Sequence, residues 1–193
     1  MLVGLLDCHY ETEKRTWEWG WLEITLGREI NSALSSLLTD SEIPVRWWST
    51  DSYKPKNAAE SHRLKAEMVL SHNPKPDIVI ETHFNHTPPN WHGYLVQHWH
   101  TDFKARAFAK ELASRLKEGL DLNVPVVSLP DSSYYTSGLF HLLKDKVPFV
   151  LFEAGSLDNP FIRHDYQSRH DDSRWWTVLH CLKGAILALS EVA

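Results

Sequence analysis

Only two cysteines, Cys8 and Cys181, occur in the 193 residues. They are too few for a disulfide framework and lack the Cys-x-x-Cys spacing of a zinc knuckle. Cys8 falls in a strand-like run and Cys181 in an apolar helical one, so both read as small buried side chains. No apolar run reaches the ~18 residues of a membrane span, which excludes insertion as a hydrophobic helix. The amino terminus enters an apolar strand with no basic leader or small-residue cleavage site, so the expected location is cytoplasmic as synthesised. Positive charge is not in excess either. Lys and Arg number 20 against 25 Asp and Glu, for a net charge of -5, and the basic residues are scattered. Nucleic acid and anionic lipid are therefore excluded as expected partners. With no internal repeat, low-complexity tract or Gly/Pro/Ser-rich linker, one domain over residues 1–193 is expected.

Tryptophan and histidine are plentiful, at nine and twelve residues. Tracts such as Trp17-Glu18-Trp19-Gly20-Trp21 and His98-Trp99-His100 are hard to bury entirely, so some of these rings are expected to line a cleft. Trp47-Trp48 and Trp175-Trp176 read as core or rim packing.

Short apolar runs alternate with longer amphipathic ones, the pattern of an α/β layered domain. Strands are expected at 2–8, 44–48, 77–82, 93–98, 125–129 and 148–153. Helices are expected at 23–38, 58–71, 103–119 and 173–190, where apolar residues recur at helical spacing, as in Leu26, Ile30, Leu34 and Leu37. The expected fold class is a single-domain α/β protein with a twisted, mostly parallel mixed sheet and helices on both faces.

Three of the strand runs end on chemically useful residues. The first finishes at His9, the third at His83 and the last at Glu153. In open α/β sheets the carboxyl ends of the strands face the ligand crevice. Two imidazoles and a carboxylate delivered there by separate strands describe a metal site with a catalytic acid/base. A hydrolytic zinc takes three protein ligands and leaves a fourth position for water. Glu23, at 23 − 9 = 14 residues beyond His9 and at the head of the first helix, completes such a set with His9 and His83. Glu11 and Glu13 near His9, and Glu81 near His83, are rival carboxylates. Glu81 precedes His83 by two residues and shares its side of the strand, which suits a place beneath the ligands or in the core. His86, His92, His98 and His100 read as exposed or substrate-facing.

The order of these pieces resembles the zinc-dependent N-acetylmuramoyl-L-alanine amidases, which cut bacterial cell wall between muramic acid and peptide. That family opens with a strand running into Asp-Pro-Gly-His-Gly, matched here by Leu6-Asp7-Cys8-His9-Tyr10, without the glycines and one residue shorter. A Glu at the head of the first helix matches Glu23. A segment with an Arg and then Ser-Ile-His-Ala-Asn matches Arg63 and Glu81-Thr82-His83-Phe84-Asn85. The closing Val-Glu-Thr-Gly-Phe motif, with an Asn soon after, matches Phe152-Glu153-Ala154-Gly155-Ser156 and Asn159. The resemblance implies Zn2+ held by His9, Glu23 and His83, with Glu153 as general base. It implies Arg63 in an ion pair under the site, and Asn85 either orienting its loop or meeting substrate. The implied substrate is peptidoglycan or a muropeptide, cut by a phage-type lysin released to the wall or by an enzyme acting on wall fragments. A cytosolic zinc amidohydrolase of small N-acyl amino acids, of the N-formylglutamate type, would use the same site. A non-catalytic glycan-binding domain would keep the fold but would not need Glu153.

Overall fold

Strands whose residues are apolar without alternation must be covered on both faces. Strand β1 (Val3–Asp7) is buried at every position, and β4 (Tyr94–Trp99) likewise. The computed structural model describes residues 1–9, 19–50, 54–86, 92–130, 138–168 and 173–191. With β2 (Val45–Trp48), β3 (Ile78–Asn85), β5 (Val126–Leu129) and β6 (Phe149–Ser156), these strands form one six-stranded sheet in the order β2-β1-β3-β6-β4-β5. The first four are mutually parallel; β4 runs antiparallel to β6 and carries β5 parallel to itself. The expected mostly parallel mixed sheet is therefore the one observed.

Helices α1 (Gly20–Thr39), α3 (Phe103–Leu120) and α6 (Arg174–Glu191) cover one face. There Ile30, Leu34, Leu112 and Leu182 pack on Leu5, Ile80 and Phe152. Helices α2 (Ala58–Leu70) and α4 (Gly138–Leu143) cover the other, where Val69 and Leu143 meet Leu6, Val79 and Leu151. Each such aliphatic side chain contributes roughly 1.5–3 kcal/mol by leaving water. Helix α5 (Pro160–Ser168) follows β6 directly. Neither α4 nor α5 is foreseen from periodicity, because a helix of one or two turns shows too short a stripe. Helix α5 buries only Ile162 and Tyr166. Its start is nonetheless written locally: Asn159 Oδ1 accepts from the Phe161 and Ile162 N–H groups, and Pro160 occupies the first turn. No helix among the described residues is long and apolar enough to cross a membrane.

The carboxyl end of β1 is fastened by Asp7, a charged residue that closes an apolar strand and is wholly buried. Its carboxylate accepts from Arg28 Nε at 3.1 Å, Asn31 Nδ2 at 3.1 Å, Trp47 Nε1 at 2.8 Å and the Thr50 N–H at 3.2 Å. One side chain thus ties β1 to α1 and to the end of β2. Asp7→Asn keeps the volume but removes the charge and exchanges an acceptor oxygen for a donor. It is expected to cost about 2 kcal/mol, read as a lower urea midpoint at unchanged m-value. An unchanged midpoint would show that these donors are satisfied elsewhere.

Candidate metal centre

Because β1, β3 and β6 are adjacent and parallel, their carboxyl ends open on the same edge of the sheet. His9 lies two residues past β1, and its carbonyl accepts from Thr50 Oγ1 at 2.7 Å. His83 and Glu153 are register partners on β3 and β6, so their side chains leave the same face side by side. The register shifts just beyond them: Asn85 pairs with Ser156 rather than with Gly155. Such a bulge re-aims side chains at a sheet end. Gly155 takes φ +122° there, and Gly93 approaches so closely that a Cβ would sit 2.6 Å from Ser156 N. Glu23 comes from the other direction, off the first turn of α1, and its side chain is buried. A helix amino terminus favours an anion there.

The four residues converge. His9 Nε2 lies 3.2 Å from Glu23 Oε1, and His83 Nδ1 lies 3.3 Å from the same oxygen. The two imidazoles meet edge to face with centroids 4.7 Å apart. The Phe84 N–H donates to Glu23 Oε1 at 3.1 Å, which fixes that carboxylate against β3. Metal bonds of about 2.0–2.1 Å in tetrahedral geometry place ligand atoms about 3.3 Å apart. The two nitrogen–oxygen separations match that edge length, and imidazole nitrogen with carboxylate oxygen is a donor set suited to zinc. Cys8 also brings its sulfur within 4.8 Å of ligand atoms of His9 and Glu23, and these three residues could hold a metal ion. Its thiol, however, points at the Glu23 carbonyl, 4.0 Å away, and burial pushes its pKa well above the ordinary thiol value. Cys8 and His83 would each have to give up a proton to bind a cation, and His9 and Glu23 are common to both candidate sets.

The electrostatics describe a pocket of acids that attracts positive charge. Burial alone would raise the Glu23 pKa, yet the imidazoles of His83, His86 and His9 hold it well below the usual carboxylate range. Burial likewise works against the charged form of His83, but Glu81 and Glu23 prevail and hold its pKa at about 10. In Glu153 burial wins and pushes the carboxyl up to about 7, with the His83 charge opposing. The residue as a whole is half-buried. Its Oε2 is buried and has no hydrogen-bond partner among the described residues. A buried carboxylate oxygen left unpaired calls for a functional account.

Beneath the site lies a buried ion pair. Lys65 Nζ meets Glu81 Oε1 at 2.6 Å, both side chains 2% exposed, and also donates to the Cys8 carbonyl. Glu81 Oε1 in turn lies 3.4 Å from His83 Nε2, the ring nitrogen that faces away from Glu23. Glu81 therefore sits under His83, as its two-residue spacing predicts. The ion pair expected from Arg63 is supplied by Lys65 instead. Arg63 is 54% exposed and pairs along the helix surface with Glu67. Both lie on α2, but only Lys65 falls on its inner stripe with Ser61, Ala66 and Val69. That stripe is the signal by which sequence could have found it.

Other expectations fare variously. His98 and Trp99 are buried rather than cleft-lining, with His98 Nδ1 2.9 Å from the Trp99 carbonyl. His92 and His100 are exposed, and Trp21 is an exposed aromatic near the head of α1. Trp48 and Trp175 are buried, and Cys8 and Cys181 are too. The Asn85 carbonyl accepts from the Leu157 N–H at 3.2 Å. Glu11, Glu13 and Trp17 lie outside the described residues. Asp7, Lys65, His86 and Asp158 are the groups near the site to which the sequence assigns no such place.

The comparisons agree with this fold. The fold matches Ami1, the N-acetylmuramyl-L-alanine amidase of Mycobacterium smegmatis, with a TM-score of 0.71 at 14% identity, covering 100% of this chain and 98% of that one. It matches the N-acetylmuramoyl-L-alanine amidase AmiC2 of Nostoc punctiforme with a TM-score of 0.73 at 14% identity, over 99% and 97% of the two chains. The catalytic domain of the CD27L endolysin, which targets Clostridia difficile, gives a TM-score of 0.69 at 15% identity, over 95% and 97%. No curated protein sequence matches the chain. The family model described as N-acetylmuramoyl-L-alanine amidase matches residues 10–175, a span that begins one residue past His9 and holds Glu23, His83 and Glu153. The chain is a member of the N-acetylmuramoyl-L-alanine amidase family.

Proposed function

We propose that the protein hydrolyses the amide between N-acetylmuramic acid and L-alanine in peptidoglycan or its muropeptides, with zinc held by His9, Glu23 and His83 and with Glu153 as general base. The observation that carries this reading is the approach of two imidazole nitrogens, from separate elements, to one oxygen of Glu23 at 3.2 and 3.3 Å. Zinc bound there supplies Lewis acidity that polarises an amide carbonyl and acidifies water.

The chain's own groups do the rest. With Glu23 ionised and both imidazoles neutral, the ligand set leaves a dication one net positive charge. Metal uptake at neutral pH must therefore displace the proton that His83 otherwise holds. Glu153 sits beside His83 with Oε2 unpaired among the described residues, which supports its reading as the group that takes a proton from the attacking water. As the C–N bond breaks, the same carboxyl returns that proton to the leaving nitrogen, so the base is regenerated. Glu81 orients the His83 ring from behind, and Lys65 keeps Glu81 ionised.

Protein purified without added metal is expected to carry close to one zinc per chain. Chelation should reduce clearing of peptidoglycan in a zymogram to background, and added zinc should restore it. Intact walls set against soluble muropeptides separate a lysin role from fragment processing. Activity on small N-acyl amino acids alone would replace the cell-wall substrate, and binding without turnover would leave a glycan-binding domain.

A further inference from the structure

Glu23 presents its two oxygens to different neighbours. Oε1 faces His9, His83 and the Phe84 N–H, whereas Oε2 lies 3.4 Å from His86 Nε2. The other ring nitrogen of His86 lies 3.6 Å from Asp158 Oδ2. His86 lies one residue past the Glu81–Asn85 segment, and Asp158 lies inside the closing motif's span, one residue before Asn159. Both side chains are 34% exposed, against 2% for Glu23, so the pair covers the solvent side of the buried carboxylate. The backbone beneath Asp158 is anchored. The Leu157 N–H donates to the Asn85 carbonyl, Arg163 Nη1 donates to the Leu157 carbonyl at 2.6 Å, and Asn159 caps α5.

The terminal torsion of a glutamate is broad and roughly two-fold. A carboxylate held at one oxygen only can therefore rotate and withdraw that oxygen from a ligand position. We infer that His86 and Asp158 are a positioning pair for the Glu23 carboxylate: Asp158 orients the His86 ring, and His86 Nε2 holds Oε2 so that Oε1 stays aimed at His9 and His83. The inference rests on the zinc reading above. Partners behind a metal ligand typically affect metal affinity by about 10–100-fold, and here that partner lies on the solvent side.

The test is a zinc competition titration against a chromophoric chelator on the metal-stripped full chain, a readout independent of turnover. His86→Ala should weaken zinc about 10–100-fold. Glutamine places its amide nitrogen near the position of Nε2, and asparagine near that of Nδ1. His86→Gln should therefore stay within about threefold of the parent, while His86→Asn should fall to the level of alanine. Asp158→Ala should cause a smaller loss that disappears in the His86→Ala background, because a coupled pair is non-additive. If His86→Ala does not fold, the comparison of glutamine with asparagine decides alone. Parent-like affinity in His86→Asn, equal losses in the glutamine and asparagine variants, or a full Asp158 effect without His86 would each overturn the positioning pair. A parent chain that takes up no zinc would overturn the metal reading and this inference together.

Discussion

Glu153→Gln is expected to lower turnover by about 10²–10⁴-fold, the range for losing a positioned general base, while zinc content stays at the parent level. The amide preserves volume and can still accept a hydrogen bond, but it cannot carry a proton between water and a leaving nitrogen. The same variant carries a second signature in the metal-free chain. Glu153 has its pKa raised to about 7 by burial, so the folded state binds this proton more tightly than the unfolded chain does. Stability contributed by the protonated form is fully present below the ordinary carboxylate value and declines as pH rises towards 7. By pH 8 the parent should have lost up to about 3 kcal/mol through this group, and Glu153→Gln should lose none of it. Urea midpoints of metal-stripped protein across pH 4–8 would show the two curves separating. Turnover within tenfold of the parent would reassign the proton transfer to another group.

Lys65→Met should be the most damaging substitution outside the candidate ligands. Removing one partner of a buried ion pair typically costs about 3–5 kcal/mol, because the other charge remains in low dielectric. The variant leaves Glu81 without its cation beneath His83 and leaves the Cys8 carbonyl without its donor. The Lys65→Met/Glu81→Met double variant should recover most of the loss in stability but not the orientation of His83. The pH dependence has a definite sign. Burial would raise the Glu81 pKa, but Lys65 and His83 hold it at about 2. The parent thus has this stabilisation above the ordinary carboxylate value and loses it as pH falls from about 4.5 to about 2. In Lys65→Met the attraction is gone, so the gap between parent and variant should widen from pH 3 to pH 6. Equal stabilities at pH 6 by urea titration would mean that Lys65 is dispensable.

Most of the sheet is readable from the chain, because buried parallel strands and helices of 13 to 20 residues leave long, regular apolar signals. All six strands are foreseeable within a few residues, although β1 stops two residues short of His9 and β3 and β6 run two and three residues past His83 and Glu153. Helices α4 and α5 are not, since six and nine residues give too little periodicity to separate from loop. The candidate residues near the strand ends are legible for the same reason as the strands. The groups that support them are harder to read, because support comes from wherever the fold happens to bring a charge. Lys65 and Arg63 are two residues apart on one helix, and only the rotation of α2 about its axis decides which one goes inside. Asp7, His86 and Asp158 carry no spacing rule at all. Their partners are 21 to 72 positions away, as in Arg28 for Asp7 and Asp158 for His86.

The strand order also bears on the sequence in which the proposed metal centre is assembled. β1 and α1 bring His9 and Glu23. β3 adds a further imidazole, but β6, which brings Glu153, is the last strand made and the one that slots between β3 and β4. The three candidate ligands are thus all present once β3 is made, whereas the candidate base arrives only with β6. A cation held by those three would therefore lack its proton acceptor until β6 docks between β3 and β4, so proton transfer would be the last capability that the proposed centre gains.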